Sequence, residues 1–287
     1  MIINWYPGHM AKAKRLIEAN LKVIDVVIEL VDARIPWSST NPMISQLIGQ
    51  KPSVVVLNKA DLADAAVLDD WVRYYKSKGR LVMALNSKDG KGVKSLMALV
   101  RRLAAPKLEH WRARGLKNRS VRTMILGIPN VGKSTLINKL ARRSAAKTAD
   151  KPGETKGKQW VHIGDQLDLL DTPGVLWPKL ENQVSAYRLA ATGAISDTVF
   201  DMETVITQLI TELSTWYPDE VKTRFKLDSL CEAPLDTIEA IGRKRGCIVA
   251  GGVVDLEKTY KLILKEYREG KIGRISLDRV AEAGEDA

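Results

Sequence analysis

Cysteine is scarce in this chain: Cys231 and Cys247 are the only two in 287 residues. Two thiols cannot build a disulfide framework, and neither has companions at metal-ligand spacing, so both are expected to be reduced and structural. Long apolar runs are also lacking, and none approaches the length of a membrane span. The opening Met1-Ile2-Ile3-Asn4-Trp5 has neither the basic segment nor the apolar core of a secretory leader. A soluble, cytoplasmic protein with no membrane partner is therefore expected. No internal repeat or low-complexity tract is evident. Acidic residues are in deficit, 34 against 45 Lys and Arg, which leaves a net charge of +11. Such an excess favours polyanions, nucleic acid among them, whatever their sequence.

With 45% hydrophobic residues the chain can bury a substantial core, and its length suits one large domain with a smaller companion. Its strongest local pattern is Gly127-Ile128-Pro129-Asn130-Val131-Gly132-Lys133-Ser134-Thr135. An apolar run, Met124-Ile125-Leu126, precedes it and a helical pattern, Leu136 to Leu140, follows. Strand, Gly-bounded loop and helix in that order form a P-loop, whose backbone N–H groups and helix N-terminus surround phosphate oxygens. Asn130, Val131, Gly132, Lys133, Ser134 and Thr135 are the expected phosphate-binding set. Gly132 admits the phosphates close to the backbone, Lys133 reaches the β- and γ-phosphates, and the Ser134 hydroxyl is a Mg²⁺ ligand.

Upstream of that loop, strand-like runs alternate with helical ones. Residues 11–21 read as a short amphipathic helix, and 23–31 and 53–57 as buried strands. Helices are expected near 43–48, 68–75 and 93–103, with a further strand at 81–85. This alternation predicts a mainly parallel sheet covered on both faces. A basic connector, residues 101–122, carries one acidic residue, Glu109, and Trp111 among its Arg and Lys. It reads as a solvated linker or a phosphate-contacting surface. Beyond the P-loop helix lie a polar loop with Thr155, then strands at 159–163 and 166–170 turning at Gly164-Asp165. From about residue 178 only helical patterns remain, at 187–191, 202–213, 235–241 and 255–267.

Asn58-Lys59-Ala60-Asp61 ends a buried strand. A carboxylate at Asp61 can accept from both the ring N–H and the exocyclic amino group of guanine, a pairing adenine does not offer. Asn58 belongs to the same base-binding turn, Lys59 would lie along the ring, and Ser87-Lys88 would support the base from the other side. Asp171 would hold Mg²⁺ through water, the Gly174 backbone N–H would sense the γ-phosphate, and Thr155 would reach Mg²⁺ directly. The order is unusual, because the base-reading motif precedes the phosphate-binding one. A parallel sheet tolerates this if the usual termini are joined and the chain is reopened elsewhere.

The permuted order, Trp5-Tyr6-Pro7-Gly8-His9-Met10, Asp32-Ala33-Arg34-Ile35-Pro36 and the segment Arg243 to Ile275 together resemble the circularly permuted GTPases of the YlqF/YawG group. The resemblance implies an α/β, circularly permuted Ras-like P-loop GTPase domain with a mainly parallel sheet at 1–178. A smaller all-helical RNA-binding domain at 179–287 would follow it. It further implies a GTP-hydrolysing switch that cycles between GTP and GDP on the immature large (50S) ribosomal subunit. The switch would contact rRNA and ribosomal proteins, be stimulated by the particle, and act as a monomer. The tail Gly270 to Ile275 matches the segment that meets ribosomal RNA in that group. Thr40 departs from the expected Arg before Asn41-Pro42.

Val175 stands where many GTPases carry a water-orienting Gln, and an aliphatic side chain cannot orient water by hydrogen bonding. By the resemblance His9 is the substitute, beside Lys133 and Thr155 in the catalytic set, and imidazole can orient or deprotonate water near neutral pH. Asn130 matches the position that binds K⁺ in cation-stimulated relatives. Mg²⁺ and, at Asn130, K⁺ are thus the expected cofactors. Two rival readings are a nucleotide-gated RNA-binding scaffold whose hydrolysis is incidental, and a P-loop kinase for a small metabolite. The Asn58 to Asp61 motif speaks against the kinase.

Overall fold

The computed structural model describes residues 9–116, 119–144, 159–163, 167–172, 174, 176 and 182–284, without the side chains of 9–13, 142–144, 159 and 284. In chain order its first half contains α1 (His9–Leu21), β1 (Val26–Asp32), α2 (Pro42–Ile48), β2 (Ser53–Asn58), α3 (Ala65–Ser77), β3 (Val82–Ala84) and α4 (Val93–Ala113). The P-loop region follows as β4 (Val121–Gly127), α5 (Lys133–Ser144), β5 (Gln159–Ile163) and β6 (Leu167–Asp171). The remainder is helical: α6 (Gln183–Ala191), α7 (Met202–Trp216), α8 (Pro218–Phe225), α9 (Pro234–Lys244), α10 (Leu256–Arg268) and a 3₁₀ turn at Val280–Gly284.

The strands form one sheet in the order β3-β2-β1-β4-β6-β5. Every pairing is parallel except the β5–β6 hairpin at one edge. All seven residues of β1 are buried, which explains why its sequence, VVIELVD, is apolar almost throughout rather than alternating. Alternation survives in where β2 sends its side chains. Val54 and Val56 join the core that continues into the P-loop and C-terminal helices, whereas Val55 and Leu57 join a smaller core with Leu68, Trp71 and Tyr75 of α3. Burying each such aliphatic side chain is worth about 1.5–3 kcal/mol.

The helices start where capping chemistry allows. Asp64 accepts from the backbone N–H of Ala66 and Val67 at the head of α3, and Asp255 accepts from Lys258 at the head of α10. Two elements depart from the sequence reading. α4 runs ten residues further than the expected end at Leu103 and absorbs much of the basic connector, despite Pro106 within it. Buried Ala104 and Trp111 and partly buried Leu103 and Leu108 keep one apolar face going, and that packing outweighs the donor lost at the proline. α8 was not expected, although Pro218, Asp219 and Glu220 begin it and Lys222 and Arg224 end it as helix charge preferences favour.

After α10 the chain leaves the helices and runs back over the sheet half. Ile275 N–H donates to Leu62 O at 2.9 Å, Leu277 N–H to Arg34 O at 2.9 Å, and Trp71 Nε1 to Asp278 O at 3.3 Å.

Candidate functional site

The C-terminal ends of β2, β1, β4 and β6 lie along one edge of the parallel sheet, the edge where open α/β sheets bind ligands. β4 ends at Gly127, packed so closely on β1 that a Cβ there would lie 2.4 Å from Leu30 O. The chain then turns through Asn130 (φ 55°) and Gly132 (φ 103°) before α5 begins at Lys133. Gly132 is required twice over, by its left-handed backbone and because a Cβ would meet Asn58 Nδ2 at 2.4 Å. Ser134 and Thr135 are exposed on the first turn of α5, where helix N–H groups and the dipole favour anions.

Lys133 is buried and donates to Gly127 O at 3.1 Å and Ile128 O at 2.7 Å. Burial pushes its ammonium down to about 8, with nearby Asp171 opposing the change. Asp171 is itself buried at the end of β6. The next residue, Thr172, donates to Ile125 O at 2.6 Å and ties that strand end to β4. Gly174 lies directly on the P-loop: a Cβ would be 2.7 Å from Pro129 N and Cα and 3.0 Å from Lys133 Nζ.

Asn58 joins the turn after β2 to the P-loop. Its amide nitrogen donates to Val131 O at 2.7 Å, and its amide oxygen accepts from Ser87 N–H at 3.1 Å and Ser87 Oγ at 2.9 Å. One buried side chain thus fixes the β2 end, the P-loop and the turn after β3 relative to one another. Lys88 is exposed beside Ser87, its N–H held by Asn86 Oδ1 at 2.8 Å. Asp61 is also exposed, and its carboxylate takes no hydrogen bond among the described residues.

Lys59 sits at φ 60° and donates to Asp32 Oδ2 at 2.8 Å. Asp32 also receives Arg34 Nε at 3.0 Å and Nη2 at 2.8 Å. Burial alone would raise the Asp32 carboxyl, yet Arg34 and Lys59 hold it well below the usual carboxylate range. The Arg34 guanidinium in turn lies over the Tyr267 ring of α10, 5.2 Å from its centroid. The sequence reading noted Asp32 and Arg34 only as a family signature. Their role as the seat of Lys59 depends on contacts across the β1 and β2 ends.

Asn130 points elsewhere than a purely phosphate-facing residue: its amide nitrogen donates to Gly193 O at 2.7 Å, at the end of α6. Any cation contact there falls to the amide oxygen. His9 begins α1, but its side chain is outside the described atoms, and Thr155 and Val175 lie outside the described residues. The oxygen donors suit Mg²⁺. Among the described residues no three His, Cys, Asp or Glu side chains gather into a metal cage. A hydroxyl at Ser134 and a carboxylate at Asp171 match an ion held mainly by phosphates and water.

A family described as 50S ribosome-binding GTPase matches residues 122–225. A Bacillus cereus protein named ribosome biogenesis GTPase A is 47% identical over 285 residues, covering 99% of this chain and 96% of its own. Its namesake from Priestia megaterium is 48% identical, with 99% of both chains covered. The crystal structure of GNP-bound YlqF from T. maritima superposes with a TM-score of 0.67 at 27% identity, covering 93% of this chain and 98% of that one. The chain is a GTPase and belongs to the ribosome biogenesis GTPase A family.

Proposed function

We propose that this GTPase is a switch in the late assembly of the large ribosomal subunit, binding the immature 50S particle with GTP and leaving after hydrolysis. The site geometry that supports this reading is the Asn58 tie, which joins the Asn58–Asp61 turn to the P-loop, and the ribosomal partner rests on the relatives named ribosome biogenesis GTPase A. Within that geometry Asp61 reads guanine. Ser87 and Lys88 support the base, and Asn130 to Thr135 wrap the phosphates. Lys133 exchanges two neutral carbonyl acceptors for charged phosphate oxygens, a stronger pairing. Ser134, Asp171 and Thr155 hold Mg²⁺, which neutralises charge on the phosphates. Gly174, resting on Pro129, is displaced or drawn in according to whether a γ-phosphate is present. His9 orients the attacking water in place of the Gln that Val175 replaces, and K⁺ at Asn130 is the second proposed contributor.

Residues 179–287 act as the RNA-binding domain in this reading. Supporting it is the exposed basic run Arg243-Lys244-Arg245 at the end of α9, not overall charge, because residues 179–287 carry 15 Lys and Arg against 19 Asp and Glu and the chain's basic excess lies in residues 1–178. Exposed Arg101, Arg102 and Arg112 on α4, with Arg114 just after its end, add basic surface to the sheet half, where Arg119 stacks on Trp111 at 4.1 Å. Among the described residues no helix is long and apolar enough to cross a membrane. A cytoplasmic monomer accords with the proposal.

The test is hydrolysis of GTP and ATP with and without purified large subunits. GTP-specific turnover that rises with the particle, falls by about a hundredfold in His9→Ala and is faster in K⁺ than in Na⁺ is expected. GTP binding without stimulation by the particle would replace the switch with the scaffold reading. An unchanged stimulated rate in His9→Ala would remove that residue, and equal rates in both salts would remove K⁺.

A further inference from the structure

The turn that carries Asp61 is held by the C-terminal tail rather than by its own neighbours alone. Arg274 Nε donates to Ala63 O at 2.8 Å and Arg274 Nη2 to Ala60 O at 3.2 Å, so one guanidinium spans the carbonyls on either side of Asp61 and Leu62. Ile275 N–H takes the carbonyl of Leu62 at 2.9 Å, and Ser276 Oγ accepts from Asp64 N–H at 3.1 Å. Gly270 completes the fit: it has φ 71°, and a Cβ there would lie 2.6 Å from Leu62 Cδ2. The tail is anchored in its turn by Tyr217, whose hydroxyl accepts from Ser276 N–H and donates to Ser276 O, each at 3.1 Å.

The backbone groups that Arg274, Ile275 and Ser276 engage belong to Ala60, Leu62, Ala63 and Asp64, and the residue they bracket is the exposed Asp61. A carboxylate that must meet two donors on a purine edge gains selectivity only if its backbone is fixed to a fraction of an ångström. We propose that Arg274 is a positioning residue for purine recognition, clamping the Asp61 turn so that its carboxylate can discriminate the 2-amino group of guanine. The inference rests on the assignment of Asp61 as the base-reading carboxylate. It adds a specificity determinant from far along the chain, 211 residues after Ala63 and 214 after Ala60. Arg274 is suited to the task because its planar fork reaches two carbonyls at once, whereas a lysine supplies a single ammonium.

The experiment measures dissociation constants of GDP and inosine diphosphate, which lacks the 2-amino group, for the full-length protein and for Arg274→Ala, Arg274→Lys and Asp61→Asn. Arg274→Ala is expected to narrow the preference for GDP over inosine diphosphate by about tenfold, the scale of one charge-assisted hydrogen bond. Arg274→Lys should fall between it and the wild type. General loosening of the fold would weaken both nucleotides alike and leave their ratio intact. An unchanged ratio in Arg274→Ala, with Asp61→Asn abolishing the preference, would overturn the clamp and leave Asp61 as the base reader. An unchanged ratio in Asp61→Asn would remove the base-reading assignment and the clamp together.

Discussion

At the scale of single residues, Lys133 carries a cost of its own. Its ammonium is buried against the neutral carbonyls of Gly127 and Ile128, and burial lowers it from 10.5 to about 8. An unfolded chain holds that proton more firmly. The folded state is therefore penalised in full below about pH 8, and the penalty fades as pH rises from there towards 10.5. Phosphate favours the charged form, so binding must raise the lysine again and draw in a proton. At pH 8, GDP binding should take up about half a proton, falling to nearly none below about pH 6.5, where the ammonium is already formed. Calorimetry in buffers of different ionisation enthalpy reads this directly. Buffer-independent heats at pH 8 would show that Lys133 keeps its proton throughout.

At the scale of elements, the site is a joint between three chain segments, and Asn58 is the pin. Asn58→Ala leaves Val131 O and the Ser87 hydroxyl without their partner in a buried space. The expected loss is about 2–4 kcal/mol of stability, larger than for an exposed Asn because unmet buried polar groups add to the bonds lost. Urea unfolding without nucleotide should show it, and GDP affinity should fall in parallel because the P-loop and the Asp61 turn are no longer fixed together. A midpoint within error of wild type would mean that the P-loop holds itself. Much of this joint was legible in the sequence. The P-loop is a local pattern, and Asn58 to Asp61 and Ser87-Lys88 stand at strand ends that apolar runs announce. The elements that escaped were decided by packing. α4 continued past Leu103 because Trp111 finds a buried seat, and α8 is only eight residues long, too short for periodicity to declare.

At the scale of the whole molecule, the return of the tail to the sheet half was not legible, because its contacts join residues that no local pattern relates. Arg188 of α6 is the clearest case. In a helical stretch it reads as a surface cation, yet it is buried and donates to Glu212 of α7 at 3.1 Å, Asp278 of the tail at 3.1 Å and Glu282 at 2.5 Å. Asp278 also accepts from Ser38 N–H and Ser38 Oγ, each at 2.7 Å, so the cluster binds the loop after β1, the helices and the tail into one body. Burial pushes the Asp278 carboxyl up to about 6, with Arg188 and Ser38 opposing. The folded state therefore holds this proton more tightly than the unfolded chain, and the Asp278 contribution to stability improves as pH falls through about 6 towards 3.8. Removing the central cation should exaggerate that dependence. In Arg188→Met, two buried carboxylates and a partly exposed one face each other uncompensated, and the loss at pH 8 should be about 3–5 kcal/mol. At about pH 5.5 a proton on Asp278 relieves much of the repulsion, so the deficit relative to wild type should shrink by at least about 1 kcal/mol. Urea midpoints of both proteins at the two pH values separate this from simple loss of packing, which would cost the same at each. A pH-independent deficit would reduce Arg188 to a space-filling side chain. A deficit that closes in acid would make its charge the element that keeps the tail, and with it the Arg274 clamp, on the sheet half.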